Sequence, residues 1–91
     1  MKLNINAVNF DMAGQLEKFI EKKTERFGRH LQADDEVEVK MTVVKPATNM
    51  NKETQVRIGS LFAEKTCDTF EEGLSECFDA LVSQLEKRKN N

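Results

Sequence analysis

Residues 37–43 read VEVKMTV, and apolar and polar side chains alternate through the whole stretch. The apolar positions are Val37, Val39, Met41 and Val43. Successive side chains of a β-strand point to opposite faces, so this alternation predicts a strand with one buried and one solvated face. A single apolar face must be covered by another layer, and we therefore expect the strand to belong to a sheet that packs against helices.

The same alternation occurs on both sides of this stretch. The predicted strands cover residues 2–7, 37–43, 54–58 and 61–65. Gly59 and Ser60 separate the last two strands and predict a hairpin turn. The polar segment 46–52 contains the only proline of the chain and is predicted to be a loop.

Two longer segments have apolar residues at helical spacing. The first stripe is Leu16, Phe19, Ile20, Phe27 and Leu31, and the second is Phe70, Leu74, Cys77, Phe78, Leu81, Val82 and Leu85. We expect Asp11 to cap the first helix and Gly28 to end it. Thr69 and Glu72 have the spacing of a capping box at the start of the second helix.

The predicted fold class is α+β, with the order β-α-β-β-β-α, in which both helices pack on one face of a four-stranded mixed sheet. The initial β-α-β unit predicts a parallel pair of strands with a right-handed crossover. The other face of the sheet is polar and solvated. Its predicted side chains are Asn4, Asn6, Glu38, Lys40, Thr42, Gln55 and Arg57.

Composition limits the classes of protein to which the chain can belong. Its 91 residues, 38% hydrophobic and 33% charged, predict a single globular domain over residues 1–91. No apolar run approaches the ~20 residues of a membrane helix, and the N-terminus alternates like a strand rather than a signal peptide. The two cysteines do not have zinc-site spacing, and we expect both to be reduced thiols in a cytoplasmic protein.

The sequence disfavours an enzyme. It has one histidine, no tyrosine and no tryptophan, and it contains no phosphate-binding glycine loop, paired-carboxylate signature or nucleophile elbow. Cys77 lies on the core stripe of the second helix, whereas Cys67 precedes the N-terminus of that helix, a position that favours a thiolate. His30 is predicted at the surface. We therefore predict no catalytic residue, metal, cofactor or small-molecule substrate.

The first helix segregates its charges. Lys18, Lys22, Arg26 and Arg29 fall within about a quarter of the helix circumference, opposite the apolar stripe. Glutamates form a neighbouring row at positions 17, 21 and 25. Rows of like charge destabilise a helix by a few tenths of a kcal/mol per pair, so the basic row is predicted to serve a partner. The alternative is an ordinary solvated face.

Further cations stand beside this row or on the second helix. Lys23 lies close to the core side of the first helix, where it either covers apolar surface or joins the basic row. The second helix ends with Lys87, Arg88 and Lys89, which also suit the helix dipole. Cations at this density would contact phosphates rather than read bases.

The aromatic residues are not predicted to form a stacking platform for bases. Phe19, Phe27, Phe70 and Phe78 belong to the apolar stripes, and Phe10 is expected to pack where the first strand leads into the helix. Phe62 has the opposite phase to its neighbours and is expected on the exposed sheet face.

These features resemble the ribosome hibernation-promoting factors, a family that includes ribosome-associated inhibitor A and is also called the sigma factor modulation proteins. The resemblance rests on the opening MKLNIN, on residues 37–45, and on the element order. It also rests on Leu16-x-x-Phe19-Ile20-x-x-Lys23-x-x-Arg26-Phe27 and on Leu81-x-x-Gln84-Leu85-x-Lys87-x-Lys89. It extends over nearly the whole chain.

The resemblance implies a non-enzymatic protein that binds the small ribosomal subunit in slow growth or stress. It implies that the protein occupies the channel of mRNA and tRNA, contacts rRNA through basic residues of both helices, and stops translation by steric exclusion. Lys23, Arg26, Lys87 and Lys89 match the basic positions of the family. The helical face adds Lys18, Lys22, Arg29 and Arg88 as predicted rRNA-binding residues.

The chain departs from the family pattern on the second helix. Ala80 and Ser83 occupy positions that are often basic in the family, and Glu76 and Asp79 add negative charge beside them. The resemblance therefore implies weaker or more salt-sensitive RNA contact from this helix. The 91 residues match the short form, which acts with a separate ribosome-dimerising factor.

Two other functions stay open from the sequence. Domains of a sheet and two helices also bind double-stranded RNA. The polar face of the sheet could instead serve a protein partner.

Overall fold

The computed structural model describes residues 2–44 and 50–89, with side chains described as far as Lys87. The elements are β1 (Lys2–Val8), α1 (Gly14–Phe27), β2 (Glu36–Val43), β3 (Lys52–Ile58), β4 (Leu61–Cys67) and α2 (Phe70–Lys89). A short 3₁₀ turn, Gly28–His30, follows α1. This order confirms the predicted α+β fold. Residues 46–49 of the predicted loop lie outside the described residues, whereas Lys52 already belongs to β3.

The four strands form one mixed sheet in the order β1-β2-β3-β4. β1 pairs with β2 in parallel, and the other two pairs are antiparallel. The register places Val39 between Ile5 and Val56, so apolar side chains of neighbouring strands lie side by side. One face of the sheet is therefore continuous apolar surface.

Both helices cover this apolar face. α2 packs on β3 and β4, and α1 packs beside α2, where the rings of Phe27 and Phe78 are 4.9 Å apart between centroids. Phe10 stacks on Phe70 at 4.7 Å and joins the end of β1 to the start of α2. The buried apolar core consists of Ile20, Phe27, Val37, Val39, Met41, Val56, Ile58, Leu61, Ala63, Phe70, Leu74, Cys77, Phe78 and Leu81.

The ends of the helices differ in part from the prediction. The residue before α1 is Ala13, which offers no side-chain cap, and the prediction that Asp11 caps this helix is wrong. Asp11 stands three positions before the first helical residue, whereas a capping residue directly precedes it. Gly28 does follow α1, but with right-handed angles (φ −55°, ψ −25°), so the chain continues into the 3₁₀ turn.

At the start of α2, the Thr69 hydroxyl accepts a hydrogen bond from the Glu72 N–H at 3.2 Å, as predicted.

The opposite face of the sheet is polar, as predicted. Asn4, Asn6, Glu38, Lys40 and Arg57 are exposed on it, and Thr42 and Gln55 are partly buried. In the part of the chain that the structure describes, no helix is long and apolar enough to cross a membrane.

Candidate nucleic-acid interface

The predicted cations of α1 and the following turn lie on the solvent side of the helix layer. We call Lys18, Lys22, Lys23, Arg26 and Arg29 the basic surface. Four of them are exposed, and Lys23 is partly buried. Among the described residues, none of these cations has an ion pair with a carboxylate within 4.0 Å. The glutamates of α1 do not line the depressions that these cations form.

Lys23 both covers apolar surface and joins the basic surface. Its ammonium nitrogen lies over the ring of Phe19, 5.9 Å from the centroid. Phe19, Lys22, Lys23 and Arg26 together line a shallow depression of about 150 Å³. Because these residues follow each other at intervals of three and four, they form one stripe along the helix.

Phe19 is a lining residue of this depression that the sequence reasoning did not include among the candidate site residues. The prediction that it belongs to the core is correct only in part, because the ring packs against the core yet remains partly exposed. Its position three and four residues before two lysines is a signal in the sequence. The sequence does not show how much of such a ring is buried in the core and how much stays exposed beside the cations. That fraction depends on how the other elements pack against α1.

A second groove of about 260 Å³ lies where α1 meets α2. α1 and the following turn line it with Lys23, Arg26, Phe27, Arg29 and His30. α2 lines it with Phe78, Asp79 and Val82. His30 is partly buried and tilts against Phe27, with 5.5 Å between ring centroids. The groove extends the basic surface to α2, but the charge that α2 adds there is negative.

Of the three cations predicted at the end of α2, the structure describes the side chain of Lys87 alone. Lys87 is exposed but does not line the groove. The side chains of Arg88 and Lys89 lie outside the described residues, so their assignment stays a prediction.

Both thiols are buried, and their surroundings favour the protonated form. Burial raises the pKa of Cys67 from 9.0, and the adjacent Glu76 carboxylate raises it further, to about 11. The Cys67 thiol donates a hydrogen bond to Glu76 Oε2 at 2.8 Å. The expectation that the helix N-terminus favours a thiolate at Cys67 is therefore wrong, because burial and the Glu76 carboxylate both favour the neutral thiol. Burial also raises the pKa of Cys77, to about 12.

One group of side chains has the composition of a metal site. The Cys67 sulfur and carboxylate oxygens of Glu72 and Glu76 lie within 4.8 Å of one another. Two of these residues are exposed carboxylates, and the third is a thiol already engaged in the hydrogen bond to Glu76. The hydrogen bond between the Cys67 thiol and Glu76 explains why these side chains lie together, without a metal ion.

The polar sheet face has a depression of its own, of about 300 Å³. It is lined by Glu38, Lys40, Gln55, Arg57 and Phe62. Phe62 is 40% exposed, as predicted, and the Arg57 guanidinium lies 5.3 Å from its ring centroid. Charges of both signs meet here, in contrast to the basic surface.

Comparison with known proteins gives the same fold. The chain is similar to a ribosomal subunit interface protein from Coxiella burnetii, with a TM-score of 0.78, 18% identity and full coverage of both chains (100% each). It is also similar to the N-terminal domain of Protein Y from Thermus thermophilus, with a TM-score of 0.76 and 14% identity. That match covers 96% of this chain and 98% of the other. No curated protein matches the chain.

The family model described as sigma 54 modulation protein / S30EA ribosomal protein matches residues 3–91. This match spans every element of the β-α-β-β-β-α fold, including both helices that line the groove. It confirms the resemblance that the strand and helix motifs carry. The chain belongs to the sigma 54 modulation protein / S30EA ribosomal protein family.

Proposed function

We propose that the protein binds the small ribosomal subunit in the channel of mRNA and tRNA and silences translation by steric exclusion. In this role it promotes ribosome hibernation in slow growth or stress, as a cytoplasmic protein without enzymatic activity. The observation that supports the proposal is the basic surface, where four of the five cations are exposed and none has an ion pair with a carboxylate among the described residues.

Membership of the family supports a ribosomal partner. The matching family model carries the description S30EA ribosomal protein, and the similar Coxiella burnetii protein is described as a ribosomal subunit interface protein. The basic surface offers the chemistry that such a partner needs, because lysine and arginine side chains bind RNA mainly through phosphates.

The net charge of −2 does not oppose this function. At physiological ionic strength, charges farther than about 8 Å from a phosphate are largely screened. Affinity therefore depends on the cations that reach the RNA rather than on the sum over the molecule. The proposed rRNA-binding residues are Lys18, Lys22, Lys23, Arg26, Arg29, Lys87, Arg88 and Lys89.

Charge reversal on the two faces of the molecule tests the proposal. We expect Lys22→Glu/Arg26→Glu to lose co-sedimentation with small subunits at low salt, whereas the wild type is released only as salt rises. The matched control, Lys40→Glu/Arg57→Glu, reverses a lysine and an arginine on the polar sheet face and should sediment like the wild type. Circular dichroism checks that both double variants are folded.

Competition experiments test the location of the site. Added mRNA and tRNA should displace the bound protein from small subunits, because steric exclusion requires a shared channel. Retained sedimentation of Lys22→Glu/Arg26→Glu would contradict the assigned surface. Equal affinity for bare duplex RNA and for small subunits would indicate a general double-stranded RNA binder.

Loss of binding in the control variant alone would indicate a partner on the sheet face. The involvement of a separate ribosome-dimerising factor stays a prediction. Sedimentation of ribosomes with and without such a factor would test it.

A further inference from the structure

An aromatic ring lies within the basic surface. Phe19 occupies the same stripe of α1 as Lys22, Lys23 and Arg26, and these four side chains line one open depression of about 150 Å³. The ring is partly buried against the core, which holds it in place, and the rest of it faces the depression. The ammonium nitrogen of Lys23 lies over the ring, 5.9 Å from its centroid.

An aromatic ring next to several cations suits an unpaired nucleotide, which has a base that can stack and phosphates that carry negative charge. Bases within an A-form duplex are stacked on each other and cannot reach a protein ring, whereas bulged or looped bases stack on aromatic side chains. The phosphates on either side of such a base carry the charge that neighbouring lysine and arginine side chains attract. A depression with cations only would bind the backbone of any duplex.

We propose that Phe19 stacks against an unpaired RNA base while Lys22, Lys23 and Arg26 bind the flanking phosphates. The basic surface thereby selects RNA that contains a bulged or looped nucleotide over a perfect duplex. This inference rests on the proposed function, because it names the class of RNA structure that the same surface takes.

Phe62 provides a matched control within the same chain. It too is a partly exposed ring beside a cation, with the Arg57 guanidinium at 5.3 Å. Its depression, however, also contains Glu38 and lies on the face of the sheet away from the helices. Glu38 weakens the attraction of this depression for phosphates, and the depression lies on a different face from the basic surface, so we expect this ring not to contribute to RNA binding.

Two RNA hairpins that differ by one unpaired nucleotide test the inference. The unpaired nucleotide carries 2-aminopurine, whose fluorescence falls when its base stacks on a ring. We expect the wild type to bind the bulged hairpin more tightly and to quench the probe. We expect Phe19→Leu, which keeps an apolar side chain without a ring, to weaken binding of the bulged hairpin about 5- to 100-fold.

The controls separate stacking from charge. Phe19→Leu should keep the wild-type affinity for the perfect hairpin and the same dependence on salt, since the cations remain. Phe62→Leu should behave as the wild type on both hairpins. Phe19→Trp keeps a ring and should quench the probe, which provides a test should the leucine variant not fold.

The inference is wrong if the wild type binds both hairpins equally, if the probe is not quenched, or if Phe19→Leu binds the bulged hairpin like the wild type. Binding of neither hairpin by the wild type also overturns it. Failure of the proposed function is a different result, because then the wild type does not sediment with small subunits.

Discussion

The side chains around Cys67 show how one neighbour decides the chemistry of a residue. The helix N-terminus next to Cys67 favours a negative sulfur, but burial and the Glu76 carboxylate both disfavour it. The pKa of Cys67 is raised, so the folded protein keeps a thiol proton that the unfolded chain releases. The resulting stabilisation is present below pH 9.0, the ordinary pKa, and is lost as the pH rises through about 11.

Glu76→Gln should lower the pKa of Cys67 towards 9.0, because the amide carries no negative charge and can donate a hydrogen bond to the sulfur. Thiolate absorbance at 240 nm measures this in a Cys77→Ala background, and the absence of tyrosine and tryptophan leaves that wavelength clear. Cys67→Ala in the same background is the control without a transition. An unchanged midpoint would show that burial alone raises the pKa.

The fit of α2 on β3 depends on a glycine. A Cβ at Gly73 would lie 2.8 Å from Thr54 Oγ1 and 3.3 Å from Thr54 Cβ. Thr54 is fully buried, and its hydroxyl has no hydrogen-bond partner among the described residues. A glycine inside a helix is less favourable than alanine by about 1 kcal/mol. At position 73 its missing side chain allows α2 to approach the sheet closely.

Gly73→Ala should lower the free energy of unfolding by about 1–3 kcal/mol, since the added methyl group forces α2 away from β3. Urea denaturation measures the change. Gly14→Ala is the matched control, because a Cβ there would meet no described atom within 4 Å.

Thr54→Ala removes Oγ1, the atom that the new methyl group would approach most closely, and keeps Cβ. Combined with Gly73→Ala, it should recover part of the lost stability, and the double-mutant cycle measures this coupling. Additive losses in the cycle would show that the two residues do not interact as the distances require.

At the scale of the whole molecule, the mixture of positive and negative side chains differs from one described surface to another. The solvent side of α1 carries a row of cations beside a row of exposed glutamates, and the polar sheet face carries both signs. Asp79 of α2 lines the groove together with Lys23, Arg26 and Arg29. The potential at a bound phosphate is the sum over these nearby charges. If the basic surface binds RNA as proposed, we expect Asp79 to lower its affinity.

Asp79→Asn should raise the affinity for small subunits about fivefold at low salt, because one repulsion of roughly 1 kcal/mol is removed. The gain should shrink as salt is added. Glu38→Gln on the sheet face removes the same charge at a distance and should leave the affinity unchanged. Sedimentation at graded salt measures both, and equal gains in the two variants would point to net charge as the cause.

Much of the fold follows from local pattern. Alternation around Val39 and Val56 and the helical spacing around Leu74 each place apolar side chains on one face, and an element with one apolar face has few ways to bury it. The element order, the mixed sheet and the family were therefore readable from the chain alone. So was the basic row of α1, because residues three and four apart are neighbours on any helix.

The tertiary structure alone decided which of these side chains face each other. Asp11 lies too far from Gly14 to cap α1, Glu76 meets Cys67, and Asp79 enters the groove of the basic surface. Phe19 remains partly exposed because the elements packed around it leave its ring beside Lys22 and Lys23. The Asp11 outcome follows from the residue at which α1 begins. The positions of Glu76 and Asp79 depend instead on contacts between different elements, and such contacts exist only once α1, α2 and the sheet are packed together.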